Sequence, residues 1–279
     1  GLGSCDSKAN VAVLMKLAEK VKEQKVMFLF YVDEEYDFKG IYAFIKKYKN
    51  LMKVNEIISL DGEDLKIRNA CRGLVEFKIV CRGKTGHSAN PKSGASAITG
   101  FLNAIGNSNE YLKKDIDFRL GQNSMNISYI KGGLYLGNRF EEILLGKNGN
   151  NIADYIEATI ELRTNSKFNL NSFLKKIKTF LTFQNLNAEE ILLRFNLKPW
   201  LTNKKYLEKI SQSLRKNKIK LEFTEPSTSG YVDIALLNEE FNSKCFCIGV
   251  KGKNRHGIDE LVDIKSIFIL EKILSDLIN

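Results

Sequence analysis

The chain has 279 residues, of which 43% are hydrophobic, and its formal net charge is +10. This length allows one large domain or two ordinary ones, and the composition excludes a chain that is disordered overall. No apolar run approaches the ~20 residues that cross a bilayer, and the first residues lack the pattern of an export signal. We therefore predict no membrane association.

The positive charge is spread along the chain. Its lysine pairs are not interleaved with aromatic residues, and they occur at Lys46-Lys47, Lys113-Lys114, Lys175-Lys176 and Lys204-Lys205. A nucleic-acid-binding surface needs a clustered basic patch. We predict no nucleic-acid partner, and a basic binding module stays only as a third alternative.

The cysteines are odd in number and form no C-x-x-C pair; they are Cys5, Cys71, Cys81, Cys245 and Cys247. Reduced, mostly buried thiols are typical of cytoplasmic proteins. We therefore predict a cytoplasmic location.

The first quarter of the chain alternates helix and strand. Apolar spacing predicts helices over Lys8–Lys22 and Ile41–Tyr48. The continuous apolar run Val26–Val32 predicts a central parallel strand buried on both faces, and Glu56–Leu60 predicts the next strand. This alternation is typical of a three-layer α/β domain.

From about Gly73 the pattern becomes that of a small α+β domain with an antiparallel sheet. The predicted elements are strand Leu74–Cys81, helix Ser96–Leu112, strands Asn126–Ile130 and Tyr155–Arg163, and helix Asn171–Leu181.

Beyond Lys198 the α/β alternation returns. The predicted elements are helix Lys205–Lys216, strand Lys218–Phe223, helix Val232–Asn238, strand Cys245–Val250 and helix Ile264–Ile278. We predict an α/β fold with a mixed, mostly parallel sheet, formed by residues 1–73 and 197–279 and interrupted by an α+β domain at residues 74–196.

Three adjacent acids, Asp33, Glu34 and Glu35, directly follow the predicted strand Val26–Val32. Open α/β sheets place ligand sites at the carboxyl ends of their strands. Adjacent carboxylates repel one another, and a solvated turn tolerates them at little cost. Taken alone, the run favours a solvated turn.

Other polar groups occupy matching positions. Asp6 precedes the first helix, Asp61 ends the Glu56–Leu60 strand, and His256 follows the Cys245–Val250 strand. Carboxylates and an imidazole at the ends of several strands are what zinc, manganese or cobalt ions require. The set therefore indicates a metal site.

These residues lie in motifs that follow one another along the whole chain. They are Gly1-Leu-Gly-Ser-Cys-Asp-Ser-Lys8, Phe30-Tyr-Val-Asp-Glu-Glu35 with Gly40, Gly86-His-Ser-Ala-Asn-Pro91 with Gly94 and Ala97, Lys131-Gly-Gly133, Asn151-Ile-Ala-Asp with Glu161-Leu-Arg163, and Arg255-His-Gly-Ile-Asp-Glu260. The ordered set resembles the di-zinc aminoacylase, desuccinylase and exopeptidase superfamily. The resemblance implies cleavage of the amide bond of an N-acyl amino acid or short peptide by a metal-bridging water.

The resemblance also implies residue roles in a catalytic domain that binds two Zn²⁺, with Co²⁺ or Mn²⁺ as alternatives. Asp6 would bridge the ions, Glu35 and His256 would complete one site, and Asp61 would bind the other ion, with Glu63 as the alternative. Glu34 would be the general base. Asp33 would be structural or lie behind the ligands.

The inserted domain would be a lid that forms a homodimer. His87 would reach the active site of a partner subunit and help to hold the developing oxyanion, and Asn151 and Arg163 would contact a substrate with a free carboxylate. A turn residue capped by Ser88 is the other interpretation of His87. Ser227–Asp233 loosely resembles the family's substrate loop.

The chain departs from the family pattern at Ala9 and Ala153, and Leu134–Gly149 is longer than expected. An H-x-D element that supplies another metal ligand is missing. We therefore expect that the chain starts inside a longer parent sequence and is inactive or poorly soluble alone. A truncated or non-catalytic relative used for binding or dimerisation is the alternative function.

Overall fold

A computed structural model describes the whole chain except residues 23–24, 141, 204–206 and 279. The helices and strands, in chain order, are α1 (Ala9–Lys20), α2 (Lys39–Tyr48), β1 (Glu56–Ser59), β2 (Ala70–Cys71), β3 (Gly73–Arg82), α3 (Ala97–Leu112), β4 (Ile116–Asp117), β5 (Gly121–Gln122), β6 (Ser124–Arg139), β7 (Glu142–Gly146), β8 (Tyr155–Thr164), α4 (Leu170–Phe183), β9 (Asn187–Leu197), β10 (Trp200–Leu201), α5 (Glu208–Lys216), α6 (Ile234–Phe241), β11 (Lys244–Cys247), β12 (Gly252–Lys253), β13 (Leu261–Val262) and α7 (Ile264–Ile278). A π-helical turn, Ser4–Lys8, precedes α1, and a short 3₁₀ turn, Pro91–Ser93, precedes α3.

The chain forms two compact units. The first unit is Gly1–Cys71 with Trp200–Asn279, and the second unit is Arg72–Pro199. These boundaries lie within three residues of those predicted, 73/74 and 196/197.

The first unit is organised around the parallel pair of β1 and β11. Phe246 faces a core formed with α1, α5 and α7, whereas Cys245 and Cys247 face a second core that includes Trp200 and residues of α6. Buried residues spaced three and four apart give α1, α5 and α7 one buried face each, whereas four consecutive residues of α6, Ile234–Leu237, are buried. The mixed α/β class predicted from the sequence is confirmed.

The predicted strand Val26–Val32 is wrong. No ladder joins it to another strand in the described part of the chain, and the Val32 side chain is 75% exposed. An apolar run indicates burial, but a central strand also needs neighbours that satisfy its backbone N–H and C=O groups.

The predicted strand Lys218–Phe223 is also wrong. One isolated parallel bridge joins Ile67 to Phe223. Ile219, Leu221 and Phe223 do pack against the core. The alternation therefore identified which side chains face inward, although the described residues of this segment form no continuous ladder.

The helix predicted at Ile264–Ile278 is observed with the same bounds, and the other predicted elements correspond to observed ones with shifted ends. The strand predicted at Cys245–Val250 ends at Cys247, and the one predicted at Asn126–Ile130 extends to Arg139. Lys205, the predicted beginning of α5, lies outside the described residues. All five cysteines are free and buried, as predicted.

The second unit is a five-stranded antiparallel sheet of order β7-β6-β8-β3-β9. One face packs on α3 and α4, whose N-termini are capped by Ser96 and Asn169. On the other face, the Arg82 guanidinium lies 4.0 Å from the Tyr135 ring centroid and 4.6 Å from that of Tyr155. These contacts fix the base of the long β6–β7 hairpin, which occupies the segment that the sequence identified as unusually long.

The described helices include none with the length and apolar character needed to cross a membrane.

Candidate metal centre

Asp6 lies in the turn before α1, where the helical geometry is interrupted. Asp6 and Ser7 have non-helical backbone angles. The Asp6 amide donates a 2.8 Å hydrogen bond to the Glu260 carboxylate, and the Asp6 side chain is only 20% exposed. The local break in the helix thus directs one carboxylate out of the turn.

Glu35 lies in a turn that Asp33 closes. The Phe38 amide donates to the Asp33 carbonyl at 2.8 Å, and the Lys39 amide donates to the Asp33 carboxylate at 3.2 Å. A Cβ on Gly40 would lie 2.4 Å from the Val32 carbonyl oxygen, so only glycine fits there. Asp33 therefore shapes the turn that presents Glu34 and Glu35.

His256 lies in the loop of the β12–β13 hairpin, with a φ of 62°. The Asn254 side chain donates to Asp259 at 2.7 Å, and the Gly257 amide donates to the Asn254 carbonyl at 2.9 Å. These bonds hold His256 in a left-handed conformation that non-glycine residues rarely adopt.

The three turns bring Asp6, Glu35 and His256 together. His256 Nε2 lies 3.6 Å from Asp6 Oδ2, and His256 Nδ1 lies 3.7 Å from Glu35 Oε1. One ligand atom of each residue lies within 4.8 Å of those of the other two. Tetrahedral ligands of a zinc ion are about 3.4 Å apart, so two carboxylates and an imidazole at these distances fit a divalent cation after small side-chain movements.

A second group of acids lies beside this cluster. Burial raises the pKa of Glu34 to about 8, and the charges of Asp61 and Asp233 contribute. Burial also raises the pKa of Asp61 to about 7. Crowded, half-buried carboxylates favour protonation or a bound cation, so this part of the site also suits a metal ion.

Asp61 and its alternative, Glu63, have different surroundings. The charge of Arg68 acts most strongly on Asp61 among its charged neighbours, followed by the charges of Asp233 and Asp6. Glu63 lies 3.6 Å from Arg68 as an ion pair and is more exposed. Arg68 thus lies near both acids, and the charges of Asp233 and Asp6 place Asp61 in the acidic group.

Three side chains, those of Arg255, Tyr31 and Glu260, make contacts in the site that were not predicted. Arg255 Nη2 donates to the Gly62 carbonyl at 2.8 Å, and Arg255 Nη1 lies 3.8 Å from Asp6 Oδ2. The Tyr31 hydroxyl donates to the fully buried Asp233 carboxylate. Glu260 holds the Asp6 turn. The sequence offered one signal for two of these side chains, since Arg255 and Glu260 lie in the same motif as His256.

His87 and Asn151 lie in the second unit, where a backbone bridge joins them. His87 Nδ1 accepts a 3.1 Å hydrogen bond from the Ala89 amide, which leaves Nε2 as the free nitrogen. Arg163 lies near the opposite end of β8 from Asn151, and its Nε donates to Glu161 at 2.8 Å. The structure thus brings two of the three predicted substrate contacts together.

A sequence model of peptidase family M20/M25/M40 matches residues 1–279. The chain therefore belongs to this family.

Individual relatives match over different extents. Acetylornithine deacetylase from Buchnera aphidicola is 29% identical over 143 residues, which are 48% of this chain and 37% of the deacetylase. The chain thus spans little more than a third of this curated relative in the match.

Two solved structures share the fold. A tripeptidase from Staphylococcus aureus superposes with a TM-score of 0.75 at 20% identity, over 99% of this chain and 70% of the tripeptidase. A dinuclear metal-binding M20 peptidase from Bacillus subtilis superposes with a TM-score of 0.65 at 16% identity, over 97% of this chain and 69% of that peptidase.

Proposed function

We propose that this protein is a metal-dependent hydrolase that cleaves the amide bond of an N-acyl amino acid or a short peptide. The observation that carries the proposal is the convergence of Asp6, Glu35 and His256 within 4.8 Å in a member of family M20/M25/M40. The deacetylase and tripeptidase relatives both have names that describe amide-bond hydrolysis.

Asp6, Glu35 and His256 would hold one divalent cation, and Asp6 and Asp61 would contribute to a second. Zn²⁺ is our first choice because oxygen and imidazole ligands suit it, and Co²⁺ and Mn²⁺ share that preference. The metal-binding neighbour from Bacillus subtilis is dinuclear. Bound divalent cations lower the pKa of water and polarise a carbonyl.

Glu34 is the proposed general base. Its neighbour Glu35 lies in the three-residue cluster, whereas Glu34 lies half-buried near Asp61 and Asp233. From there Glu34 would accept a proton from the attacking water and deliver it to the leaving amine.

The second unit would supply substrate contacts. His87 would donate from Nε2 to the developing oxyanion in the active site of a partner subunit, while Asn151 and Arg163 would bind the amide and the free carboxylate of a small substrate. We further propose that this unit is a lid that forms a homodimer, and that the protein is cytoplasmic.

The test measures metal content and amide hydrolysis on one preparation of the full-length parent protein, of its Glu34→Gln variant and of the exposed control variant Glu208→Gln. N-acetyl and N-succinyl amino acids and di- and tripeptides are the substrates. We expect about two metal ions in all three proteins and loss of hydrolysis in Glu34→Gln alone. A metal-free, inactive parent would instead support a non-catalytic binding role.

A further inference from the structure

Glu260 connects the two ends of the chain at the metal centre. It ends the loop that carries His256, directly before β13. Its side chain is fully buried, although glutamate is almost never fully buried without partners. The burial of this charged side chain is therefore explained by its hydrogen-bond partners.

All the backbone donors of this carboxylate come from the Asp6 turn. Oε1 accepts from the Cys5 amide at 2.6 Å and from the Asp6 amide at 2.8 Å, and Oε2 accepts from the Gly3 amide at 3.0 Å. Hydrogen bonds to an ionised acceptor are about twice as strong as neutral ones. One side chain thus fixes three successive parts of the turn.

Packing leaves little freedom around this connection. A Cβ on Gly252 would lie 2.4 Å from the Cys5 sulfur, so the hairpin backbone lies directly on the turn. The Asn10 side chain donates to the Cys5 carbonyl at 3.2 Å and accepts from the Val250 amide at 3.1 Å. A second buried side chain therefore joins the same two segments.

We infer that Glu260 is a positioning residue that fixes the Asp6 turn against the His256 loop and so sets the metal affinity of the site. The inference rests on the proposed metal site but not on hydrolysis. Glu260 does not reach the cation; it places the backbone from which Asp6 extends, as the partners of metal ligands commonly do.

The test uses Glu260→Gln and Glu260→Asp in the full chain. Gln keeps one acceptor oxygen but replaces the other with an NH₂ group, which cannot accept from Gly3. Asp keeps the charge but is one methylene shorter. Zn²⁺ affinity is measured by competition with a chromophoric chelator, and the thermal unfolding of each metal-free protein is followed by circular dichroism.

We expect both variants to bind Zn²⁺ about 10- to 100-fold more weakly than the parent. Asp276→Asn is the matched control, because Asp276 accepts from Asn217 at 2.9 Å within the same unit and outside the metal centre. It should lower the unfolding temperature without changing Zn²⁺ affinity. Parental affinity in both Glu260 variants, or an equal loss in the control, would overturn the inference.

Hydrogen exchange in the metal-free parent decides the question if the variants do not fold. The Cys5 and Asp6 amides should exchange much more slowly than in an unstructured peptide. Exchange at the unstructured rate would overturn the role of Glu260. A parent that shows this protection but binds no Zn²⁺ would overturn both the proposed function and the effect of Glu260 on metal affinity.

Discussion

His256 Nε2 lies 3.6 Å from Asp6 Oδ2, close enough to share a cation and too far for a hydrogen bond. In the proposed site Asp6 would help to hold both ions, whereas His256 would help to hold one. We predict that Asp6→Asn loses both metal ions and that His256→Gln loses one. Metal analysis after dialysis measures the difference. Equal metal loss in the two variants would contradict a bridging Asp6.

The metal-free protein should become less stable as pH rises from about 5 to 8. The pKa of Glu34 is raised from 4.5 to about 8, so the folded state binds more protons than the unfolded state between these values. Its contribution to stability is complete below about pH 4.5 and is lost as pH rises through 8.

Glu34→Gln should reduce this dependence, because glutamine does not ionise. At pH 8 we expect the metal-free variant to be more stable than the parent by up to about 4 kcal/mol. Urea unfolding of both proteins at pH 5 and pH 8 measures this difference in the free energy of unfolding. Parallel pH profiles for the two proteins would show that Glu34 is not the group responsible.

Gly249→Ala should destabilise the first unit. Its Cβ would lie 2.1 Å from the Gly62 carbonyl oxygen, which belongs to the turn carrying Asp61. We expect a loss of about 1–3 kcal/mol in the free energy of unfolding and weaker metal binding. The control is Gly106→Ala within α3, where a Cβ meets nothing within 4 Å and should stabilise by up to about 1 kcal/mol. Equal destabilisation of the Gly249→Ala and Gly106→Ala variants would contradict the close approach of Gly249 to Gly62.

His87→Ala should lower kcat by about 10²- to 10³-fold and leave the metal content unchanged. The reason is that Nδ1 is already occupied by the Ala89 amide, so Nε2 alone is available for an oxyanion. Steady-state kinetics and metal analysis on the same sample of His87→Ala test this prediction. An effect on KM alone would assign His87 to substrate binding instead.

The sequence singled out Asp6, Glu35 and His256 because each lies in a recognisable motif, and the structure brings these three side chains together. It did not predict the state of Val26–Val32, since apolar character does not specify a strand's hydrogen-bonding neighbours. The sequence placed Glu260 in the His256 motif but did not reveal its role, because that role depends on three backbone donors more than 250 positions away in the chain.

The bonds between Glu260 and the Asp6 turn also have a kinetic consequence. Cys5 and Glu260 are 255 positions apart in the chain, and contacts between such distant residues form slowly because a long loop must first be closed. The metal centre is therefore expected to assemble late in folding, after the local helices. A folding intermediate that lacks this contact would have its carboxylates and imidazole too far apart to hold an ion, so metal uptake would report the completion of the native fold.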